Sequence, residues 1–251
     1  MAESRIRVAA AGDIHCDEQA RDRVEAAFAR VQREAQLVLL AGDLTTHGEP
    51  EEAAVLADAV RGLEVPVVAV LGNHDFHAGR DREVVEILRG AGIIVLERDW
   101  TVCEVAGARV GVVGTKGFVG GFPGANIPDF GEPSLRALYS ETTVEVEAVD
   151  RGLDAVADCP LRIVLLHYAP TMTTLVGEPE GLWLVLGSHR LAAPIAAHRA
   201  ELVLHGHAHE GTFEGSIGAV PVYNVAGHVT GRDFWIFDLD LAGKEVESPA
   251  H

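Results

Sequence analysis

Residues that bind metal ions or transfer protons recur in this sequence directly after short apolar runs. The segment LHGHAHEG, residues 204–211, places His205, His207 and His209 at alternate positions. Successive side chains of a β-strand point to opposite faces, so a strand through this segment would put the three imidazoles on one side. Such a triplet fits a metal site, and it equally fits a polar strand end whose histidines bond to backbone or water. The triplet alone does not distinguish the two.

Four other apolar runs end in the same way, namely VAAAGD, LVLLAGD, VVAVLGNHD and IVLLHY. Ligands of open α/β sheets bind beyond the carboxyl ends of the strands, so one sheet holding all five runs would gather their polar residues. These residues are Asp13, His15, Asp43, Asn73, His74, Asp75, His167, His207 and His209. Acids and imidazoles packed this closely are costly without a counter-ion. The sequence therefore predicts a site for divalent cations.

Amphipathic segments separate the first three runs and are predicted helices. Residues 50–63 begin with Pro50 and two acids, which suit a helix N-terminus. Residues 80–92 form a further helix closed by glycine. Residues 17–35 carry apolar side chains at spacings of three and four, as one helical face requires. The resulting β-α-β-α-β order predicts a parallel sheet covered by helices.

The second part of the chain is predicted to add strands, one long or broken helix over residues 133–158, and a helix over residues 187–200. Residues 219–227 and 233–241 alternate apolar and polar side chains, which suits antiparallel strands. The sequence shows no internal repeat, linker or low-complexity segment. Its 251 residues are therefore expected to form a single α/β domain, residues 1–251.

The charge balance argues against a nucleic-acid polymer as partner. Lys and Arg number 20 against 38 Asp and Glu, a formal net charge of −18. A field of this sign repels polyanions, and the sequence shows no Lys/Arg cluster that would build a local basic groove. Part of the acidic excess is available to bind cations.

Cysteine usage and the lack of targeting signals predict a cytoplasmic protein. Cys16, Cys103 and Cys159 are odd in number, widely spaced and outside any C-x-x-C pair, as expected in a reducing compartment. The N-terminal segment lacks a signal-peptide pattern. No run of roughly 18 apolar residues is present to cross a membrane, so no membrane partner is expected.

The ordered set of motifs resembles the calcineurin-like metallophosphoesterases. It consists of Asp13-x-His15, Gly42-Asp43, Gly72-Asn73-His74-Asp75, His167 and Gly206-His207-x-His209. The resemblance covers nearly the whole chain, since the β-rich tail to about residue 239 also fits. It implies a four-layer α/β/β/α sandwich of two mixed sheets flanked by helices, with the site on the sheet edge.

The resemblance also implies roles for the individual residues. Asp13, His15 and His209 would bind one metal ion, Asn73, His167 and His207 the second, and Asp43 both. His74 would face the leaving group, with Asp75 orienting its ring. Mixed nitrogen and oxygen ligands without thiolate suit Mn, Fe, Zn or Ni better than Ca or Mg.

The expected activity is a metal-dependent phosphoesterase acting on a small phosphodiester or phosphomonoester. Attack would come from a hydroxide held between two ions roughly 3.5–4 Å apart. One alternative is a metal-dependent nuclease, which the net charge of −18 disfavours. The other is a catalytically idle scaffold of the same fold, which would be expected to lose ligands that this chain retains. The sequence assigns neither the natural substrate nor the oligomeric state.

Several residues beside these motifs carry weaker signals. His205 suits a place behind the ligands or in the core, and His47 and His77 favour structural or solvated positions near the rim. Cys16 favours packing over oxidation near a redox metal. Thr46 stands where many relatives carry an acid. The glycine-rich segment 116–131 fits a mobile flap over an apolar part of the substrate and equally fits a loop pinned by aromatic anchors. Segment 169–181 would form another wall of the site, and segment 182–187 suits either core or a subunit contact.

Overall fold

The computed structural model describes residues 5–241 and 246–247 of the chain. The strands are β1 (Arg5–Ala11), β2 (Leu37–Ala41), β3 (Val67–Val70), β4 (Ile94–Val95), β5 (Asp99–Val105), β6 (Ala108–Gly114), β7 (Gly121–Phe122), β8 (Ala125–Asn126), β9 (Leu161–Leu165), β10 (Leu202–His205), β11 (Glu214–Ile217), β12 (Val220–Asn224), β13 (Trp235–Asp240) and β14 (Val246–Glu247). The helices are α1 (Arg21–Glu34), α2 (Pro50–Val60), α3 (Asp81–Gly90), α4 (Pro133–Ala155), α5 (Trp183–Leu186), α6 (Ala192–His198) and α7 (Gly227–Thr230).

The strands form two six-stranded mixed sheets and a small β7–β8 hairpin. The first sheet has the order β14-β13-β1-β2-β3-β4, in which β1 to β4 run parallel and β13 pairs antiparallel with β1. The second has the order β11-β12-β10-β9-β6-β5, with β5 and β11 as antiparallel edges. The expectation of one sheet holding all five polar-ended strands is wrong, because β1, β2 and β3 lie in the first sheet and β9 and β10 in the second.

Three apolar cores stack the sheets and helices into four layers. The alternate side chains of a strand face opposite ways, so each sheet contributes to two cores. On the outer face of the first sheet, Phe28, Leu56 and Leu88 of α1, α2 and α3 pack against it. The middle core lies between the sheets, and Leu153 of α4 and Ile195 of α6 pack on the outer face of the second. The predicted four-layer α/β/β/α sandwich is thus confirmed.

The structure shows the predicted long or broken helix to be unbroken and divides the other predicted helix in two. Helix α4 is continuous through its Thr-Thr-Val stretch, where the hydroxyls of Thr142 and Thr143 donate to the carbonyls of Leu138 and Tyr139 four residues earlier. The predicted helix over residues 187–200 is instead a 3₁₀ turn, His189–Leu191, followed by α6. Within the described residues, we find no helix with the length and apolar character needed to cross a membrane.

Candidate metal centre

The loops that follow β1, β2, β3, β9 and β10 meet at one edge of the sandwich. Backbone hydrogen bonds tie the loops together within each sheet, and Gly12 N after β1 donates across to Val225 O after β12 of the second sheet at 2.9 Å. Asp13 N donates to Gly42 O at 3.0 Å, and His15 N donates to Asp43 O at 3.0 Å. Gly206 N donates to His167 O at 3.2 Å. The nine residues singled out in the sequence therefore converge although their strands belong to two sheets.

Four of these residues adopt left-handed backbone conformations. The φ angles are 56° at Asp13, 48° at His15, 47° at Asp43 and 71° at His207. Non-glycine residues seldom adopt such angles, and strained backbone of this kind clusters at functional sites, where the surrounding structure maintains it. Here the loop-to-loop hydrogen bonds supply that support.

Candidate ligand atoms form overlapping groups in which all atoms lie within 4.8 Å of one another. One group contains Asp13, His15 and His209, and another contains Asp43, His167 and His207. The His209 Nε2 to Asp13 Oδ1 distance is 2.8 Å, and the His167 Nε2 to Asp43 Oδ1 distance is 3.4 Å. Ligands about 2.0–2.2 Å from one ion stand roughly 3 Å apart, so these spacings fit metal coordination.

Asn73 and His74 complete the arrangement. The Oδ1 atom of Asn73 lies 2.9 Å from Nε2 of His167, which places Asn73 beside the second group. His15 and His74 form a third group with Asp43, whose Oδ2 lies 3.9 Å from Nε2 of His15 and 4.0 Å from Nε2 of His74. Asp43 thus stands between the other ligands.

Backbone carbonyls select which ring nitrogen of each histidine faces the site. A carbonyl only accepts, so the ring nitrogen beside it must carry the proton. Nδ1 of His167 donates to Ala41 O at 2.9 Å, and Nε2 of His207 donates to Val185 O at 3.3 Å. Nε2 of His167 and Nδ1 of His207 are left unprotonated and free to bind a metal, as in many histidine sites.

Burial and hydrogen bonds shift the pKa values of several candidate ligands. Desolvation lowers the pKa of His167 to about 4 and that of His207 to about 3, so both are neutral at pH 7. Burial, together with the nearby Asp13 charge, raises the pKa of Asp43 to about 6. Burial would also raise the pKa of Asp13, but the His209 hydrogen bond and the charges of His167 and His209 outweigh it and lower that pKa to about 2. Metal ions require carboxylates and neutral imidazoles, and His167 and His207 are already neutral. The hydrogen bond to Asp13 raises the pKa of His209, so a metal ion bound there would displace a proton.

Comparison with protein-family models matches residues 6–211 to the calcineurin-like phosphoesterases. The match covers most of the chain. This protein belongs to the calcineurin-like phosphoesterase family. A comparison with functionally curated proteins gave no match.

Solved structures of similar fold carry differing descriptions. The protein TT1561 of Thermus thermophilus aligns with a TM-score of 0.59 at 20% identity, over 96% of this chain and 97% of its own. Phosphopantetheinyl hydrolase from Mycobacterium tuberculosis aligns with a TM-score of 0.63 at 15% identity, over 89% of each chain. GAP50, the anchor in the inner membrane complex of Plasmodium, aligns with a TM-score of 0.61 at 12% identity, over 99% of this chain and 88% of its own. At these identities the likeness shows the fold.

In this phosphoesterase fold, Asp75 does not orient the His74 ring, contrary to the sequence-based expectation. Nδ1 of His74 donates to the carbonyl of Thr46 at 2.8 Å. The buried Asp75 carboxylate accepts from the backbone N–H groups of Gly72 (2.7 Å), Thr45 (2.8 Å) and Leu44 (3.2 Å), and from the Thr45 hydroxyl (2.6 Å). Asp75 therefore fastens the loop after β3 to the loop that carries Asp43.

The three histidines of LHGHAHEG do not share one strand face, because β10 ends at His205. His205 is buried, with Nε2 of its ring 2.8 Å from the Thr174 hydroxyl, which confirms the expected core role. His207 and His209 lie in the following loop. Asn224 positions that loop, since its Nδ2 donates to Ala208 O at 2.7 Å.

His228 is a residue beside the site that the motif analysis missed. Its ring stacks on His209, with the centroids 4.1 Å apart and the planes at 10°. It lies in α7, after the β12 run VPVYN. The sequence pattern that marked the other site residues is present here too, because the β12 run ends in the polar Asn224 and His228 follows four residues later.

Part of the 116–131 segment is pinned by an aromatic anchor, which was one of the two alternatives for it. Phe122 is buried against Trp183, and Gly121 N donates to Gly187 O at 2.8 Å, so this part is pinned to segment 182–187. Phe118 lies instead beside Tyr168, next to the candidate ligand His167. Phe130 is 78% exposed.

Glycine at position 72 is required by the close approach of two loops, so Gly72→Ala is expected to disturb the metal centre. A Cβ atom there would overlap the backbone nitrogen and Oδ1 of Asp43. Overpacking of this kind costs about 1–3 kcal/mol. We expect a lower thermal midpoint and weaker binding of Mn²⁺, measured by calorimetry. Gly90→Ala is the matched control, since a Cβ at Gly90 meets nothing within 4 Å. Equal Mn²⁺ affinity in the two variants would contradict the steric argument.

Proposed function

We propose that this chain is a dinuclear-metal phosphoesterase that hydrolyses small phosphodiesters or phosphomonoesters. The observation that supports it most is the position of Asp43. Its carboxylate belongs to a group with His167 and His207 and to another with His15 and His74. A carboxylate with two oxygens suits a ligand shared by two ions, whereas the amide of Asn73 offers one neutral oxygen.

The donor set fits two divalent transition-metal ions. Asp13 and Asp43 are buried, and the charge of one raises the pKa of the other, so a cation would relieve their repulsion. We assign Asp13, His15 and His209 to one ion, and Asn73, His167 and His207 to the other, with Asp43 shared. Nitrogen and oxygen donors without thiolate favour Mn, Fe, Zn or Ni.

When bound, the two ions would supply Lewis acidity toward the phosphoryl oxygens and an activated water as nucleophile. The remaining requirement is a proton for the departing oxygen. His74 would meet it in its imidazolium form: Nδ1–H is held by Thr46 O, and the second proton, on Nε2 turned toward the Asp43 side of the site, would pass to the departing oxygen and leave the neutral ring. Its side chain is 41% exposed, so a substrate can reach it.

Hydrolysis of small esters by the metal-loaded protein tests this function. The protein is loaded with Mn²⁺ and assayed at low salt on 4-nitrophenyl phosphate, bis(4-nitrophenyl) phosphate and long single-stranded DNA. We expect turnover of at least one small ester, lost on chelation, and slower cleavage of DNA because the net charge of −18 repels a polyanion.

Two other outcomes would replace the proposal. Strong DNA degradation with little turnover of the small esters would identify a nuclease. Two bound ions without hydrolysis of any ester would identify a scaffold that keeps the fold and the metals but lacks the reaction.

A further inference from the structure

A cavity of about 610 Å³ opens beside the candidate metal centre and has no role in the proposed chemistry so far. Asn73 forms one edge of this cavity, so it adjoins the second group of ligands. Leu71, Leu96, Phe76, Phe118 and Tyr168 supply an apolar and aromatic wall. Binding sites for organic groups are typically apolar cavities of this size with a few convergent polar atoms.

The polar atom at the centre of the aromatic wall is the ammonium of Lys116. Nζ lies 4.6 Å from the ring centre of Phe118, 5.1 Å from that of Tyr168 and 5.5 Å from that of Phe76. These distances are within the range of cation–π contacts. The three rings hold the flexible lysine side chain in place.

Lys116 is connected to the metal centre through its backbone and through Tyr168. Its carbonyl accepts from the N–H groups of both His167 and Tyr168 at 3.0 Å. The Tyr168 ring also lies 4.5 Å from that of His207 and 5.4 Å from that of His167, between centroids. A group bound at Lys116 would therefore lie next to the phosphoryl site.

The Lys116 ammonium has donors to spare. It carries three N–H bonds, and one donates to Gly117 O at 3.2 Å. Within residues 5–241, no carboxylate lies within 4.0 Å of Nζ, because the nearby acids are engaged elsewhere. Glu145 accepts from Arg98, Thr115 and Gly117 N, and Glu141 accepts from Arg98.

The charges around the cavity favour a neutral partner for these donors. Arg98 is shared by Glu141 and Glu145, so one of those two negative charges is offset through space by Lys116. Glu97 pairs with Arg89 at 3.0 Å. An anion arriving at Lys116 would leave this cluster net negative, whereas a neutral acceptor would satisfy the donors and leave the charges balanced.

We infer that this cavity, lined by Phe76, Phe118 and Tyr168 around Lys116, binds the organic group of the substrate and selects a planar, neutral group that bears a hydrogen-bond acceptor. The planar group stacks on the Phe118 and Phe76 rings, and its carbonyl oxygen or ring nitrogen accepts from Lys116. Lys116 and Phe118 are then specificity-determining residues. This inference rests on the proposed phosphoesterase function.

Lys116→Met tests the inference, because it removes the donors, keeps an unbranched side chain one atom shorter and leaves the backbone bonds to His167 and Tyr168 intact. The substrates are 4-acetylphenyl phosphate (neutral acceptor), 4-ethylphenyl phosphate (no acceptor) and 4-carboxyphenyl phosphate (anion). The ratio of kcat/KM between variant and wild type is compared across the esters, so that differences in intrinsic reactivity cancel. We expect Lys116→Met to lose about tenfold or more on the acetylphenyl ester, the value of one charged hydrogen bond, and less than about twofold on the ethylphenyl ester. Equal losses on these two esters, or the largest loss on the carboxyphenyl ester, would overturn the inference.

Two further variants and a binding measurement separate this role from a structural one. Lys116→Gln keeps an N–H donor and is expected to recover part of the loss on the acetylphenyl ester. Phe118→Leu is expected to lower kcat/KM for the acetylphenyl and ethylphenyl esters, whose aryl groups are uncharged, relative to kcat/KM for methyl phosphate. Binding of 4-hydroxyacetophenone to the metal-free protein, followed by NMR, should weaken in Lys116→Met. Unchanged binding of 4-hydroxyacetophenone in Lys116→Met would contradict the inference that Lys116 donates to a group bound in this cavity. If the wild type hydrolysed no ester but still bound 4-hydroxyacetophenone through Lys116, the phosphoesterase function would be refuted and the binding role of the cavity would stand.

Discussion

Asp43→Asn is expected to reduce the metal content of the protein from about two ions per chain to less than one and to remove most of its activity. The Asp43 side chain is 1% exposed and contacts both halves of the centre. Asparagine keeps the volume but loses the negative charge and one of the two donor oxygens. Because both ions would depend on this carboxylate, we expect a fall in kcat of roughly 10³-fold or more, equivalent to several kcal/mol of lost metal stabilisation.

Elemental analysis of Mn²⁺-loaded protein measures the metal content directly. His209→Ala is expected to empty chiefly one of the two metal positions. Among the carboxylates of the described chain, His209 lies within 4.0 Å of Asp13 and not of Asp43. Asp58→Asn is the matched control for carboxylate removal, because Asp58 is exposed and pairs with Arg21 and Arg61. Retention of two ions by Asp43→Asn would show that this residue does not bridge them.

His74→Ala is expected to keep both ions and to lose activity unequally between substrates. An alkoxide leaves poorly without a proton, whereas nitrophenolate leaves well unprotonated. General acid catalysis contributes roughly 10²–10⁴-fold where the leaving group needs it. We therefore expect a loss toward that range on alkyl esters and a markedly smaller loss on nitrophenyl esters, measured as kcat on matched pairs.

The geometry around His74 provides the controls. His77 is exposed and three residues away, so His77→Ala is expected to leave kcat unchanged on both ester types. The sequence alone predicts that Asp75→Asn acts as a weaker form of His74→Ala. Since Asp75 instead bonds the N–H groups of residues 44, 45 and 72, we expect it to weaken metal binding without discriminating between the esters. Equal losses of activity on both esters in His74→Ala would mean that His74 stabilises the charge on the phosphoryl group. Loss of metal from this variant would mean that His74 is a metal ligand.

Local pattern was enough to predict the strands, several helices and the position of the site at strand ends, whereas the four layers were implied by the family resemblance. Apolar runs such as Leu37–Ala41 are too apolar on both faces for an exposed strand, and the helical stripe of α1 repeats at 3.6-residue spacing. The polar residues directly after these runs had to lie at strand ends. These properties depend on residues close together in the chain, which is why the sequence carries them.

The tertiary structure decided which strands share a sheet and which groups contact one another. Asp75 contacts Thr45, and Lys116 gathers Phe76 and Tyr168, across separations of 30 to 52 residues. A carboxylate accepts from whichever N–H groups lie within about 3 Å, and an ammonium rests on whichever rings surround it. Both outcomes depend on how distant loops pack at the sheet edge. The residue types therefore predicted a metal centre, and only the packing of the loops revealed what orients His74 and which cavity adjoins it.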